Sequence, residues 1–138
     1  WENTTDYPSA PIMEGPTVIK HKGKYYLFYS ANHFMSRDYA VGYAVADSPL
    51  GPWKKPNDNR IIHRSTVGEN GSGHGDVFDD SKGNIFYVYH VHHSDHAVSP
   101  RLTRIIPLHF VPSADGFDRV EVKREEVIVP IVKTGGKK

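Results

Sequence analysis

Short runs of apolar and aromatic residues, separated by polar turns, recur along the whole chain. The most compact run spans residues 25–29 and consists of four aromatic residues and a leucine. Residues 39–46 place apolar side chains at every second position, at Val41, Tyr43 and Val45, which is the period of a β-strand. No stretch keeps the helical spacing of 3.6 residues for three turns. The pattern therefore predicts an all-β fold.

The remaining strands are predicted from similar runs, and prolines and glycines mark the turns between them. Two prolines and a glycine within residues 48–52 exclude a regular element there. Further strands are predicted at residues 61–62, 76–78, 85–91, 101–111 and 119–132.

An internal repeat appears when the chain is compared with itself at an offset of 60 residues. Residues 22–29 then lie over residues 82–89, and residues 14–18 lie over residues 74–78. Repeats of several antiparallel strands at this period are typical of propeller blades. Because closed propellers typically have about four to eight blades, we expect a partial β-propeller of about two blades plus a closing strand segment. The blades are predicted over residues 1–132, followed by a frayed tail over residues 133–138.

Charge and composition narrow the range of partners. The 138 residues include 17 Lys and Arg against 16 Asp and Glu, so the net charge is +1. Nucleic acids and membrane surfaces are bound through concentrated positive charge, so neither is an expected partner. No apolar run approaches the roughly 20 residues of a membrane span. The absence of cysteine excludes disulfides, thiolate zinc sites and a cysteine nucleophile.

Two polar residues share a position in the repeat. Glu14 and His74 are related by the same offset of 60 residues. In a propeller the first strand of each blade lines the central channel, so both side chains would face one axial site. The alternative is that Glu14 caps a strand and His74 fills a glycine-rich loop.

The motifs and their order resemble those of glycoside hydrolase family 43. The similarity covers about residues 1–117, and residues 85–90 and 101–110 look like the last blade of that family. The motifs that support it are Glu14-Gly15-Pro16 and residues 25–30, 41–44, 48–53 and 71–75. The resemblance implies a five-bladed propeller with a central carbohydrate site. It also implies inverting cleavage of arabinose- or xylose-containing glycans, and a secreted or periplasmic location.

The resemblance also implies roles for individual residues. Glu14 corresponds to the general acid. His74 corresponds to the histidine at the bottom of the site, where it contacts substrate and often lies near a calcium or other ion held largely through water. Arg101 is the best match to an arginine that contacts the sugar, and Arg104 is the alternative. The chemistry itself needs no cofactor.

Two aromatic residues, Phe34 and Trp53, are candidates for stacking on a sugar face, although such residues more often serve in packing. Phe34 is the preferred candidate.

One requirement of the reaction is missing from the sequence. Inverting hydrolysis needs a protonated acid and a carboxylate base about 6.5–9.5 Å apart. In the family the base and a pKa-modulating Asp lie in the first three blades. Only 13 residues precede Glu14 here, and Asp6, the one Asp among them, is not in a matching motif. We therefore expect the chain to need upstream blades or a second copy, and to be inactive alone.

Two other functions remain open at this point. A half-propeller without a base could serve as a non-catalytic carbohydrate-binding protein. A metal-binding protein is suggested by the histidine-rich residues 90–96, which resemble the His-x-His-x-Asp-His run of the metallo-β-lactamase fold. The Asp and the final His arrive one position late for that motif, however, and the chain lacks the helices of that fold.

Overall fold

The computed structural model describes residues 1–3 and 12–135. Its strands form a four-stranded antiparallel sheet, a three-stranded antiparallel sheet and a two-stranded hairpin, each with neighbouring strands in chain order. The elements are β1 (Ile12–His21), β2 (Lys24–Asn32), β3 (Ala40–Ala46), β4 (Arg60–Ile62), α1 (Arg64–Val67), β5 (Gly73–Asp79), β6 (Ile85–Val91), β7 (Leu102–Pro107), β8 (His109–Val111), β9 (Arg119–Glu121) and a 3₁₀ turn (Arg124–Glu126).

The all-β prediction is confirmed, and the two larger sheets correspond to about two blades. Across the described part of the chain these sheets do not close into a ring. The domain boundary at residue 132 stays a prediction, and residues 136–138 of the expected tail lie outside the described residues.

The last two predicted strands are shorter than expected. The run 101–111 is divided into β7 and β8 at Leu108, directly after a proline. The run 119–132 keeps only the three residues of β9, because the charged residues 124–126 form the 3₁₀ turn instead. Beyond that turn, Ile128 makes a single bridge to Ile105 on β7.

The core lies between the two larger sheets and is rich in aromatic rings. Tyr26 and Phe28 on β2 face the same side because alternate residues of a strand point the same way. Tyr87 on β6 comes from the second sheet, with its ring centroid 6.0 Å from that of Phe28. All three side chains are fully buried. Buried aromatic area of this kind is the main stabilising contribution in a small domain.

The two sheets meet through their first strands and through the C-terminal hairpin. Strand β5 packs against β1, and the hydroxyl of Thr17 donates a hydrogen bond to Asp76 Oδ1 over 2.6 Å. The hairpin returns to the first sheet, where the Tyr26 hydroxyl donates to the carbonyl oxygen of Asp118 over 2.8 Å. These contacts fix the first strands of the two blades side by side.

Both first strands contain a β-bulge near their beginning. In each case two residues of the first strand lie opposite one residue of the second strand. The pairs that flank the bulges are Glu14–Ser30 and Thr17–Phe28 in the first sheet, and Gly73–His90 and Asp76–Val88 in the second. Bulges redirect side chains and are common next to active sites.

The register corrects the predicted equivalence of Glu14 and His74. The offset of 60 holds for the second strands, but the first strands are related by an offset of 59. Gly15 and His74 therefore share a bulge position, and both have a left-handed backbone, with φ of 61° and 45°. Glu14 is equivalent to Gly73. The shift arises in the turns, because two residues separate the paired His21 and Lys24, whereas three separate Asp80 from Asn84, to whose carbonyl oxygen its N–H donates.

Candidate active site

The two bulges bring Glu14 and His74 together, although the residues are not repeat equivalents. Nδ1 of His74 lies 3.8 Å from Oε2 of Glu14. The imidazole also packs against Gly15, where a Cβ atom would lie 3.3 Å from the ring. The backbone N–H of His74 donates to the Ser30 hydroxyl over 2.8 Å. Both side chains remain open to solvent, with 35% of Glu14 and 51% of His74 exposed.

The left-handed backbone of His74 is uncommon for a residue with a side chain. Such backbone conformations cluster at functional sites, where the surrounding structure holds them in place. This conformation supports His74 as a functional residue, although its role stays a prediction.

Tyr39 makes the shortest contact to Glu14. Its hydroxyl donates a hydrogen bond to Glu14 Oε1 over 2.7 Å, and its side chain is fully buried. Burial raises the pKa of the Tyr39 hydroxyl, and the neighbouring Glu14 carboxylate raises it further. The hydroxyl therefore remains a proton donor at physiological pH. No motif singles out Tyr39 among the eight tyrosines, because its contact joins residues 25 positions apart in the sequence.

Arg101 and Phe34, both candidates from the sequence, lie in contact. The guanidinium carbon of Arg101 is 5.0 Å from the centroid of the Phe34 ring, which is the geometry of a cation–π interaction. Nη1 of Arg101 lies 2.9 Å from Nε2 of His90. Because arginine is always a donor, Nε2 of His90 must accept this hydrogen bond, and its ring proton is on Nδ1.

His90 connects the arginine to the buried tyrosine. The ring of His90 stacks on Tyr39, with centroids 5.7 Å apart and planes at 17°. A continuous row of side chains therefore runs from Glu14 through Tyr39 and His90 to Arg101 and Phe34.

Arg104 occupies a different environment. Its Nε and Nη2 atoms bind both carboxylate oxygens of Glu69, at 2.9 and 2.7 Å, and only 12% of the side chain is exposed. This paired arginine has few donors left for a ligand. Of the two arginines proposed from the sequence, the geometry favours Arg101 as the one that can reach a sugar.

Trp53 lies far from Glu14 along the first sheet. Its neighbour Lys54 bridges Val45, near the end of β3. Glu14 instead pairs with Ser30, which pairs with Val41 at the opposite end of that strand. The structure therefore does not bring Trp53 to the site.

The environment of His90 keeps its ring neutral. Burial, together with the adjacent Arg101 cation, lowers the pKa of His90 to about 4 from its ordinary value of 6.5. The neutral ring can accept the hydrogen bond from Arg101, which a protonated ring could not do.

This lowered pKa predicts a pH-dependent stability. His90 becomes protonated near pH 6.5 in the unfolded chain, but only near pH 4 in the folded chain. The contribution of neutral His90 to the free energy of unfolding is therefore complete above pH 6.5 and is lost as the pH falls toward 4. After allowance for solvent screening at this partly exposed ring, we expect the free energy of unfolding to fall by about 1 kcal/mol over this pH range.

The measurement is urea unfolding at pH 7 and pH 4.5 of the unchanged chain, His90→Gln and the exposed-loop control His96→Gln. The difference between the free energies of unfolding at the two pH values should be smaller in His90→Gln than in the other two proteins. An equal difference in all three proteins would contradict the prediction.

The described residues offer no direct coordination site for a metal ion. Within residues 1–3 and 12–135, no group of three or more His, Asp or Glu side chains could hold one. In the histidine-rich segment, His90 binds Arg101, and Nε2 of His92 lies 2.8 Å from the carbonyl oxygen of Phe34. The metal-binding alternative therefore gains no support.

The residues around His74 bear on how a calcium ion could be held there. Calcium prefers six to eight oxygen ligands, whereas His74 provides a nitrogen and Glu14 is the carboxylate beside it. These residues do not fit a directly coordinated calcium. An ion held near His74 through water stays a prediction.

Asp6, the one Asp ahead of Glu14, lies outside the described residues. In the part of the chain that the structure describes, no helix is long and apolar enough to cross a membrane.

Comparison with known families identifies the class of protein to which this fold and site belong. The model of "Glycosyl hydrolases family 43" matches residues 2–117. The chain therefore belongs to family 43 of the glycosyl hydrolases, as its motifs predicted.

Individual relatives agree with this assignment. Beta-D-galactofuranosidase xynD of Aspergillus niger is 32% identical over 99 residues, which cover 71% of this chain and 29% of the relative. The crystal structure of endo-1,4-beta-xylanase from Bacteroides thetaiotaomicron superposes with a TM-score of 0.74 at 36% identity, covering 86% of this chain and 40% of the xylanase. The crystal structure of a thermostable family-43 glycoside hydrolase superposes with a TM-score of 0.70 at 40% identity. The match covers 91% of this chain and 39% of that hydrolase. The chain thus spans well under half of each relative.

Proposed function

We propose that this chain supplies the general acid of an inverting glycoside hydrolase that acts on arabinose- or xylose-containing glycans. The observation that supports the proposal is the placement of Glu14. Its carboxyl group lies on a bulge beside His74, is bound by a buried tyrosine and still faces solvent. Membership of family 43 and a xylanase among the structural relatives support the substrate class.

Glu14 can perform one half of an inverting reaction. A protonated carboxyl group gives its proton to the oxygen of the leaving sugar, while a second carboxylate activates a water molecule on the other side of the ring. We propose that this second carboxylate comes from upstream blades of the same protein. A second copy of the chain is the alternative, but it would duplicate Glu14 rather than provide a base.

The sugar would be held beside Glu14 by the exposed polar groups of the site. Arg101 is permanently charged and presents several donors to sugar hydroxyls. Its guanidinium is supported by Phe34 and by His90, so little side-chain freedom is lost on binding. His74 offers its exposed ring next to Oε2 of Glu14. The proposed location is outside the cytoplasm, where such glycans occur.

Titration with sugars tests this proposal on the chain as it is. We expect xylobiose or arabinobiose to cause saturable NMR shifts at His74 and Arg101. Arg101→Lys should weaken binding several-fold, because an ammonium lacks the planar array of donors. Arg119→Lys, at an arginine paired with Asp115, is the matched control. The absence of saturable shifts with both sugars would contradict the proposal.

Hydrolysis distinguishes the possible outcomes for catalysis. The isolated chain should not cleave aryl β-D-xylosides or aryl α-L-arabinofuranosides, whereas a polypeptide that includes the upstream blades should. Turnover by the isolated chain that disappears in Glu14→Gln would show that the base lies within it. Sugar binding without turnover in the extended polypeptide would indicate a carbohydrate-binding protein instead.

A further inference from the structure

The two oxygens of the Glu14 carboxyl group have different surroundings. Oε1 accepts the hydrogen bond from the buried Tyr39 hydroxyl at 2.7 Å. Oε2 lies 3.8 Å from Nδ1 of the solvent-facing His74. A carboxyl group that acts as a general acid carries its proton on one oxygen only, so this asymmetry decides which oxygen can donate it.

The position of Tyr39 is fixed by its neighbours on both sides. Its ring packs closely against Gly73, where a Cβ atom would be only 2.5 Å from two of the ring carbons. The preceding residue, Asp38, is bound by Nε2 of His63 at 3.0 Å and by Nε of Arg64 at 2.7 Å. The glycine therefore makes room for the ring, and the contacts of Asp38 with His63 and Arg64 hold the backbone next to Tyr39 in place.

A tyrosine hydroxyl has one proton, and Tyr39 uses it to donate a hydrogen bond to Oε1 of Glu14. While Oε1 accepts this hydrogen bond, the acidic proton of Glu14 is favoured on Oε2, because the carbonyl oxygen of a neutral carboxyl group is a better acceptor than its hydroxyl oxygen. We propose that Tyr39 is a positioning residue for Glu14, which fixes the rotamer of the carboxyl group and directs its transferable proton to Oε2, beside His74. The inference rests on the proposed role of Glu14 as general acid.

The first test needs no catalysis and uses the isolated chain. Tyr39→Phe removes only the hydroxyl, and we expect the three-bond couplings of the Glu14 side chain to change from those of one rotamer to an average. Tyr89→Phe is the matched control, because Tyr89 is equally buried and its hydroxyl has no hydrogen-bond partner among the described residues. Unchanged couplings in Tyr39→Phe would overturn the inference.

The unmodified chain provides a second measurement should Tyr39→Phe fail to fold. The hydroxyl proton of Tyr39 should exchange slowly with water and show a nuclear Overhauser effect to the Glu14 side chain. Exchange as fast as that of the partly exposed Tyr25 would overturn the inference.

The second test uses the catalytically complete polypeptide and its leaving-group dependence. A dinitrophenolate leaves without much help from an acid, whereas a phenolate needs it. Tyr39→Phe should lower kcat about 10- to 100-fold on phenyl β-D-xyloside or α-L-arabinofuranoside, with KM little changed, and about threefold or less on the 2,4-dinitrophenyl glycosides. Equal losses on both leaving groups would indicate a structural role and overturn the inference.

The two tests separate this inference from the proposed function. If Tyr39→Phe frees the Glu14 side chain but Glu14→Gln leaves turnover intact, the general-acid assignment fails. If Glu14→Gln abolishes turnover while Tyr39→Phe alters neither couplings nor leaving-group dependence, the positioning role fails.

Discussion

Glu14→Gln should lower kcat about 1,000-fold or more on xylan- or arabinan-derived oligosaccharides, in the polypeptide that includes the upstream blades. General acids contribute factors of about 100 to 10,000, and a sugar leaving group depends strongly on protonation. The Gln amide has no acidic proton to give. Its carbonyl oxygen can still accept the Tyr39 hydrogen bond, so KM should change little. The measurement is steady-state kinetics of the variant and the unchanged protein.

The controls distinguish lost chemistry from lost structure. Glu125→Gln, at an exposed position on the 3₁₀ turn, removes the same charge far from the candidate site and should leave kcat unchanged. On a 2,4-dinitrophenyl glycoside, Glu14→Gln should lose much less activity than on the oligosaccharide. Equal rates for Glu14→Gln and the unchanged protein on the oligosaccharide would disprove the general-acid role.

The strands and the blade repeat could be predicted because they depend on local patterns. The aromatic run of β2 and the alternation in β3 are visible in the sequence, and so is their recurrence in β6. The bulges were not visible, because a single inserted residue leaves the surrounding pattern intact. The equivalence of Glu14 and His74 was wrong by one residue because the turn between β5 and β6 is one residue longer than the turn between β1 and β2, although the two side chains do lie close together.

The supporting residues of the site depend on distant contacts that no local pattern describes. Tyr39, directly before β3, reaches Glu14 on β1, and His90 lies between Tyr39 and Arg101. The choice between Arg101 and Arg104 likewise depended on Glu69, which lies 35 residues from Arg104. Family motifs indicated which residues to consider, but only the packing showed which arginine is already occupied.

The glycines of the site allow a second large effect to be predicted. A Cβ atom at Gly75 would lie 1.7 Å from the carbonyl oxygen of Val88 and 2.7 Å from the Tyr87 ring. Both neighbours belong to β6, and the carbonyl is backbone, so β5 and β6 would have to separate locally. We expect Gly75→Ala to cost about 3 kcal/mol or more, a large part of the roughly 5–15 kcal/mol that stabilises a typical domain.

Gly83→Ala is the control that separates close approach from backbone strain. Gly83 has a φ of 83° and open space around it. Alanine there should lower the free energy of unfolding only through the strain of the left-handed backbone, by about 1–2 kcal/mol. Gly75 lies outside that φ region, and its whole expected cost arises from the contact with β6. Urea unfolding of both variants measures the difference. Equal losses would mean that the close pairing at the bulge, which also holds His74 against Gly15, does not require a glycine at position 75.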